Sequence, residues 1–295
     1  MLDDRAVDQV RRFNRLVTER IGALDEHYLA RSRPLGQSRV LWEIGPDGAE
    51  VRDLRRRLDL DSGYLSRLLR SLERSGLVTV AAAAGDRRVR TARLTPAGAD
   101  ERALLDERSD ALARELVAPL SPPQQRRLVG AMAEVEALLT ASLVRLSVVD
   151  PGEDDAQRCL RRYFAELDDR FDAGYDPEAA LPLLLDEMRA PRGRFVVARL
   201  RGEAVGCGVV KLHGAGPADI KRMWVAPEAR GLGLGRRLLT ELEVLAAAEG
   251  ARSTQLETNR ALAEAISLYR SSGYVEVAPF NDEPYGHHWF RKALG

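Results

Sequence analysis

The sequence predicts two domains, a mainly helical one closed by a single β-hairpin and then an α/β one. Three observations carry this. The chain has 295 residues, and a domain takes roughly 100–200. Residues 1–143 show helical apolar periodicity interrupted by one alternating hairpin, whereas 144–295 alternate strand and helix patterns. Within the second stretch, Gly231, Gly233 and Gly235 crowd into one turn between a strand and a helix.

Charge narrows the partners. Lys+Arg and Asp+Glu both number 45, for zero net charge, which excludes a uniformly basic nucleic-acid coat. The window from Glu50 to Arg93 nonetheless holds 11 Arg against 6 acidic residues, a local excess of five positive charges. Such a focus suits phosphate contacts, or else it is a solvated arginine face. Cys159 and Cys207 are far apart in sequence with no metal-ligand spacing, which argues against a disulfide framework and a zinc site. No apolar run reaches the roughly 18–20 residues of a membrane span. The first residues lack a signal-peptide pattern, so we expect a cytoplasmic protein with no membrane partner.

The elements follow in order. Val7, Val10, Phe13, Val17, Ile21 and Leu24 recur at helical steps over Asp4–Leu29. Pro34 opens a second helix that the Gly45-Pro46-Asp47-Gly48 turn stops. A short helix covers Val51–Leu58. Asp61-Ser62-Gly63 then starts another over Tyr64–Arg74, with Gly76 past its end. Leu77–Val80 and Val89–Leu94 alternate as a hairpin, followed by helices over about Ala97–Leu116 and Pro122–Leu143. The second domain opens with a strand at Val144–Val149, so the junction falls near Ser142–Ser147. Helices are expected over Asp154–Phe171 and Glu178–Met188, and a hairpin turns at Arg201-Gly202-Glu203. Ile220–Val225 is a strand, Arg236–Ala248 a helix, Gln255–Thr258 a strand and Ala261–Ser271 a helix. Two short strands follow from Val275.

The third and fourth helices have helix-turn-helix spacing, and the hairpin behind them reads as a wing. Ser62, Tyr64, Ser66, Arg67 and Arg70 lie on or near the polar side of the fourth helix. Arginine reads guanine or holds phosphate, and hydroxyls suit backbone contacts. Arg87, Arg88 and Arg90 lie near the wing tip, where arginine enters a narrow minor groove. Leu72-Glu73-x-x-Gly76-Leu77-Val78, followed by Asp86-x-Arg88 and Leu94-Thr95-x-x-Gly98, resembles the MarR family of winged-helix regulators over 1–143. The resemblance implies a homodimer built from the first and last two helices of the domain. It also implies operator DNA contact through the Tyr64–Arg70 helix and the wing, with Asp86 pairing a wing arginine. Ala81-Ala82-Ala83-Ala84 departs from the polar wing expected and leaves its geometry open. A winged helix that serves only protein contacts is the other reading.

The glycine turn suits an anion, because absent side chains let backbone N–H groups and a helix N-terminus face phosphate oxygens. It is neither a dinucleotide fingerprint nor a P-loop. Arg230-x-x-Gly233-x-Gly235 after Val225-Ala226-Pro227, with Leu256-Glu257-Thr258-Asn259 and Ala265-x-x-Leu268-Tyr269-x-x-x-Gly273-Tyr274 downstream, resembles the GNAT acyltransferases over 144–295. That resemblance implies an α/β fold with a central mixed, mostly antiparallel sheet, and acetyl-CoA as cofactor. The pyrophosphate would rest on Arg230, Gly231, Leu232, Gly233, Leu234, Gly235 and Arg236. The strand carrying Met223 and Val225 would pair with the pantetheine arm.

Tyr269 matches the family's general-acid tyrosine, and the competing reading is a core aromatic. Asn259 would bind pantetheine or order water. Glu257 is the candidate base, directly or through water, or else a strand residue facing solvent. His287 and His288 would line the acceptor pocket or form a solvated pair. The expected function is therefore a fused regulator and N-acetyltransferase acting on a small-molecule amine by direct attack. The alternative is a regulator whose second domain only senses acetyl-CoA or an acceptor.

Overall fold

The computed structural model describes residues 3–22, 29, 33–83, 86–214 and 216–295, excluding the side chains of 83–88. It divides into two compact units at Ala131/Met132. The sequence expectation put the junction at 143/144, whereas this division falls inside the last helix of the first region.

In the first unit, α1 (Asp4–Arg20), α2 (Leu35–Ile44), α3 (Val51–Leu58) and α4 (Ser62–Arg74) are followed by the hairpin of β2 (Val78–Ala83) and β3 (Asp86–Leu94). Helices α5 (Pro96–Val117) and α6 (Pro122–Ser142) complete the region. A two-residue strand that the sequence pattern missed, β1 (Ala49–Glu50), joins the hairpin in the order β1-β3-β2. Helix α1 ends at Arg20, and residues 23–28 of the expected longer helix lie outside the described residues. The core is the fully buried set Leu41, Ile44, Leu54, Leu65 and Leu72. It forms because the apolar positions of α2, α3 and α4 recur at helical steps.

Local chemistry fixes the joint between α4 and the hairpin. The Asp61 carboxylate caps α4 by accepting the Tyr64 N–H at 2.8 Å. Glu73 accepts the Val80 N–H at 3.0 Å, and Thr95 Oγ1 donates to the Gly76 carbonyl at 2.7 Å. Thr95 also caps α5 by accepting the Gly98 N–H at 3.0 Å. At Gly98 a Cβ would lie 2.0 Å from the Leu77 carbonyl oxygen, so only glycine lets α5 approach so closely.

The second unit has β4 (Arg145–Val149), α7 (Asp154–Arg170), β5 (Gly193–Leu200), β6 (Glu203–Lys211), β7 (Ala218–Val225), α8 (Leu234–Ala248), β8 (Ser253–Thr258), α9 (Ala263–Ser271), β9 (Val275–Val277) and β10 (His288–Ala293). Seven strands form one mixed sheet in the order β4-β5-β6-β7-β8-β10-β9. Every neighbouring pair is antiparallel except β7–β8. Arg201 and Gly202, both at positive φ, make the two-residue turn between β5 and β6. Leu234, Leu238, Leu239, Leu242 and Ala246 bury one face of α8 on the sheet.

The helix expected over Glu178–Met188 does not form, and only a 3-10 turn at Leu185–Met188 appears there. Pro182 sits mid-segment, where it removes a donor and clashes with the preceding turn. The Leu181 N–H is instead accepted by the Glu283 carboxylate at 3.1 Å.

Replacing Gly98 by alanine should destabilise the first unit by about 1–3 kcal/mol, because the methyl meets fixed backbone rather than a movable side chain. Urea unfolding of Gly98→Ala checks this, and an unshifted midpoint would mean that α5 relaxes freely.

Candidate functional site

The site begins where two parallel strands separate. β7 and β8 are in register only at Ala218↔Thr254 and Asp219↔Gln255. Beyond those pairs the β7 edge facing β8 has no partner strand among the described residues. β7 also carries an extra residue against β6, since Cys207 pairs with Trp224 but Val209 pairs with Lys221. Arg222 absorbs the irregularity at φ 53, as expected of a bulge that re-aims side chains.

Two cavities flank this opening. The larger, about 470 Å³, lies against Met223, Val225, Arg230, Gly231, Gly233, Leu234, Gly235 and Arg236. Gly231 and Gly233 adopt φ 79 and 69, and a Cβ on either would meet nothing within 4 Å. Side chains there would project into open space. Gly233 is the N-cap of α8 and no side chain caps that helix, so its first N–H groups are uncommitted. An α-helical N-terminus of this kind favours an anion. At Gly235 an added Cβ would press Leu268 at 3.2 Å, which places this glycine at the α8–α9 packing contact. The cavity therefore fits a phosphate at one end and an extended chain along β7.

Not every expected ligand joins it. Leu232 packs on the core instead of lining the cavity. The Asn259 side chain lies in the other cavity, where its amide is consumed internally. Its Nδ2 donates to the Tyr285 carbonyl at 3.0 Å and its Oδ1 accepts the Ala261 N–H at 2.9 Å. Arg236 lines the larger cavity while donating to Ser271 at 3.1 and 2.9 Å. Arg230 donates to the Val225 carbonyl at 3.1 Å and to both oxygens of Glu166 at 2.5 Å.

Glu166, on α7, carried no sequence signal. It also accepts Trp224 Nε1 at 2.8 Å and Arg170 at 3.4 Å. Burial alone would raise its carboxyl, but hydrogen bonds from Arg230 and Trp224, with the nearby positive charge, outweigh that and hold it below its usual range.

The second cavity is smaller, about 90 Å³, and contains Glu257, Arg222, Tyr175, Glu283 and Tyr285. Tyr163, Met223 and Tyr269 line both cavities. Tyr269 is buried, and burial pushes its phenol well above the usual range, with Tyr163 and Glu257 adding to the effect. It is thus a protonated donor at the junction. Glu257 lines the second cavity, where its carboxylate ion-pairs with Lys221 and accepts Asn281 Nδ2 at 3.3 Å. His287 and His288 do not line this cavity. His288 is instead held by Glu276 at 2.7 Å.

On the first unit, Ser62, Tyr64, Arg67 and Arg70 are exposed on α4, and Ser66 is half-buried. Arg67 lies over the Tyr64 ring at 5.7 Å, and Arg70 Nε donates to the Ser66 carbonyl at 3.2 Å. Arg67, Arg70, Glu73 and Arg74 share one shallow depression. Arg39, Arg56 and Arg57 are ion-paired. Arg67, Arg70 and the exposed Arg90 on β3 have no carboxylate partner among the described residues. The Asp86, Arg87 and Arg88 side chains, and hence the expected wing ion pair, lie outside the described residues. Among the described residues no acidic, histidine or cysteine cluster suits a metal, and no helix is long and apolar enough to cross a membrane.

Comparison with known proteins gives two family matches. The acetyltransferase (GNAT) domain matches 191–276 and the MarR family matches 32–89. An IAA acetyltransferase of Azospirillum brasilense is 38% identical over 135 residues, 45% of this chain and 87% of that protein. N-alpha-acetyltransferase RimI of Mycobacterium tuberculosis is 35% identical over 127 residues, 42% of this chain and 74% of that protein. A transcriptional regulator of Pseudomonas aeruginosa superposes at 25% identity over 43% of this chain and 97% of its own, with TM-score 0.38.

A carboxylate depressed in the fold contributes stability above its unfolded pKa and loses it as pH falls through the folded value. Glu166→Gln should therefore be less stable than wild type at pH 7, by about 1–3 kcal/mol. The gap should start to narrow near the unfolded glutamate value, about pH 4, and close only once pH falls below the folded value. Urea unfolding across pH checks this, and a constant gap at all pH would assign the loss to packing instead.

Proposed function

The chain belongs to the GNAT acetyltransferases, with a MarR-family domain ahead of the transferase, and on that footing we propose that it both binds operator DNA and acetylates an amine. The observation that carries the enzymatic half is the meeting of two cavities at Tyr269. One has the uncapped α8 N-terminus and the glycine turn for a pyrophosphate, with the free β7 edge for the pantetheine amides. Arg230 keeps its Nη1 uncommitted for a phosphate, and Met223 and Val225 border the arm. Acetyl-CoA bound there supplies a thioester whose acetyl group passes to the amine with the CoA thiol as leaving group.

This chain's residues then divide the proton traffic. Tyr269, protonated and buried, gives its proton to the departing sulfur. Glu257 takes the amine's proton through a water, because both of its oxygens already have donors. Direct attack needs no nucleophilic cysteine, and Cys159 and Cys207 are buried.

The occupied Glu257 also favours a second reading, in which the domain binds acetyl-CoA or an acceptor without turning it over. An acceptor screen that follows free CoA separates the two. Tyr269→Phe should lower turnover by about 10²-fold or more with acetyl-CoA affinity near normal. Gly233→Val should abolish that affinity, since a branched side chain at positive φ strains the turn and fills the phosphate space. Equal turnover by wild type and Tyr269→Phe returns Tyr269 to a packing role. Acetyl-CoA binding with no CoA release from any amine establishes the sensor.

For the regulatory half, Arg67, Arg70 and Arg90, exposed and with no carboxylate partner among the described residues, support DNA contact. Val10, Phe13 and Leu16 on α1 and Leu138 and Leu139 on α6, all exposed, support a homodimer that covers them. We expect binding to a pseudo-palindrome with half-sites about one helical turn apart. Arg67→Ala and Arg70→Ala should each lower the salt slope by about one if they hold phosphate. If they read guanine, each should cost about 1–3 kcal/mol at one base position. Full-strength binding by the double mutant at unchanged salt slope, in a gel-shift titration, would leave the domain a dimerisation platform.

A further inference from the structure

The acceptor-side cavity contains a positive charge that the protein does not neutralise. The bulge in β7 turns Arg222 into this cavity. Its Nη1 donates to the Tyr175 hydroxyl at 2.9 Å, and its guanidinium lies over the rings of Phe164 at 5.0 Å and Tyr163 at 5.9 Å. None of these partners is an anion. Among the described residues no carboxylate lies within ion-pair range of Arg222. The neighbouring cation is matched, because Lys221 pairs with Glu257. Glu283 is the opposite case. Its carboxylate accepts the backbone N–H groups of Leu181 at 3.1 Å and Tyr285 at 3.4 Å, and among the described residues it has no cationic partner.

A half-buried guanidinium without a counter-charge is costly, and its planar fork of donors matches a carboxylate. The positive φ of Arg222 adds backbone strain. That strain and the missing counter-ion fall on the same residue, beside the shared Met223 and one wall from Tyr269. Arg222 does not line the larger cavity, so the cofactor's phosphates do not account for it.

We propose that the acceptor is an amine that also carries a carboxylate, an amino-acid-type molecule whose carboxylate is held by Arg222 and whose ammonium group enters beside Glu283. Tyr175 and Tyr285, 4.8 Å apart between ring centroids, wall the acceptor. This rests on the acetyltransferase reading of the site and names its substrate class and specificity residue.

The test uses binding as well as turnover. The full chain is titrated calorimetrically with N-acetylglycine and N-acetyl-L-leucine, each against its own carboxamide, with and without CoA. The acids should bind about 10–100-fold tighter than the carboxamides. That preference should vanish in Arg222→Asn, chosen because asparagine tolerates left-handed φ, and partly return in Arg222→Lys. In turnover, KM for carboxylated amines should rise in Arg222→Asn far more than kcat falls. Equal binding of acid and carboxamide by the wild type overturns the proposal, as does no binding of either. So does a preference that survives in folded Arg222→Asn. The wild-type comparison needs no variant, so a misfolded mutant leaves the test intact. Acetyl-CoA affinity is measured in parallel. Its absence counts against the acetyltransferase reading, while the acid–carboxamide comparison without CoA still decides the carboxylate site.

Discussion

Strands β7 and β8 pair at only two positions, and the chemistry of the second domain depends on the gap beyond them. Parallel strands that stayed paired would consume the backbone groups of β7 from Ile220 to Val225 and leave nothing for a ligand. Separated, they leave an edge that an added strand or an extended ligand can satisfy in place of water. Burial does not allow that edge to stand alone. α7 supplies Tyr163 and Arg170 over it, and α9 supplies Leu268 and Tyr269. The antiparallel β10 meanwhile pairs along the whole of β8, from Ser253 to Thr258. The sheet thus continues on both sides of an opening that its own geometry keeps.

The MarR signature residues divide in a similar way between holding and contacting. Glu73, Thr95 and Gly98 spend their distinguishing chemistry inside the unit, on the Val80 amide, the Gly76 carbonyl and the approach to Leu77. They brace the hairpin against α4. Arg67 and Arg70, which face outward with no ionic partner among the described residues, lie ahead of the first signature position, Leu72. A signature match therefore identifies the scaffold strongly and the DNA contacts only by placement on it. That is why the operator-binding reading rests on these exposed arginines and not on the motif itself.

Much of this was legible in the sequence where periodicity or turn chemistry is local. The α4 stripe of Leu65, Leu68, Leu69 and Leu72, the Arg201-Gly202 turn and the glycine turn before α8 each follow from residues within one element. Pro182 breaks the helical pattern expected over 178–188, and only the 3-10 turn at Leu185–Met188 forms after it. Arg222 gave no signal, because its importance comes from a bulge that exists only when β7 meets β6. Glu166 lay unseen for the same reason, since its donors come from β7 and from the turn 64 residues downstream. Asn259 has the right residue type at the right place in the motif, but its amide is satisfied by Tyr285 and Ala261. That pairing depends on the fold of the 280s, which no local pattern fixes.

Tyr269 shows how far packing and chemistry can share one residue. It is buried like a core aromatic, with ring contacts to Tyr274 at 5.9 Å and Phe290 at 6.0 Å, so the core reading of the sequence is correct as far as it goes. The same burial raises its phenol and so keeps the proton on. Among the described residues its hydroxyl has no hydrogen-bond partner. Tyr269 stands in the walls of both cavities, so its hydroxyl is held at their junction. In the acetyltransferase reading we propose, a sulfur developing negative charge there would accept the proton. The two readings are therefore compatible, since the core fixes the ring while the hydroxyl stays available for the acid role we propose.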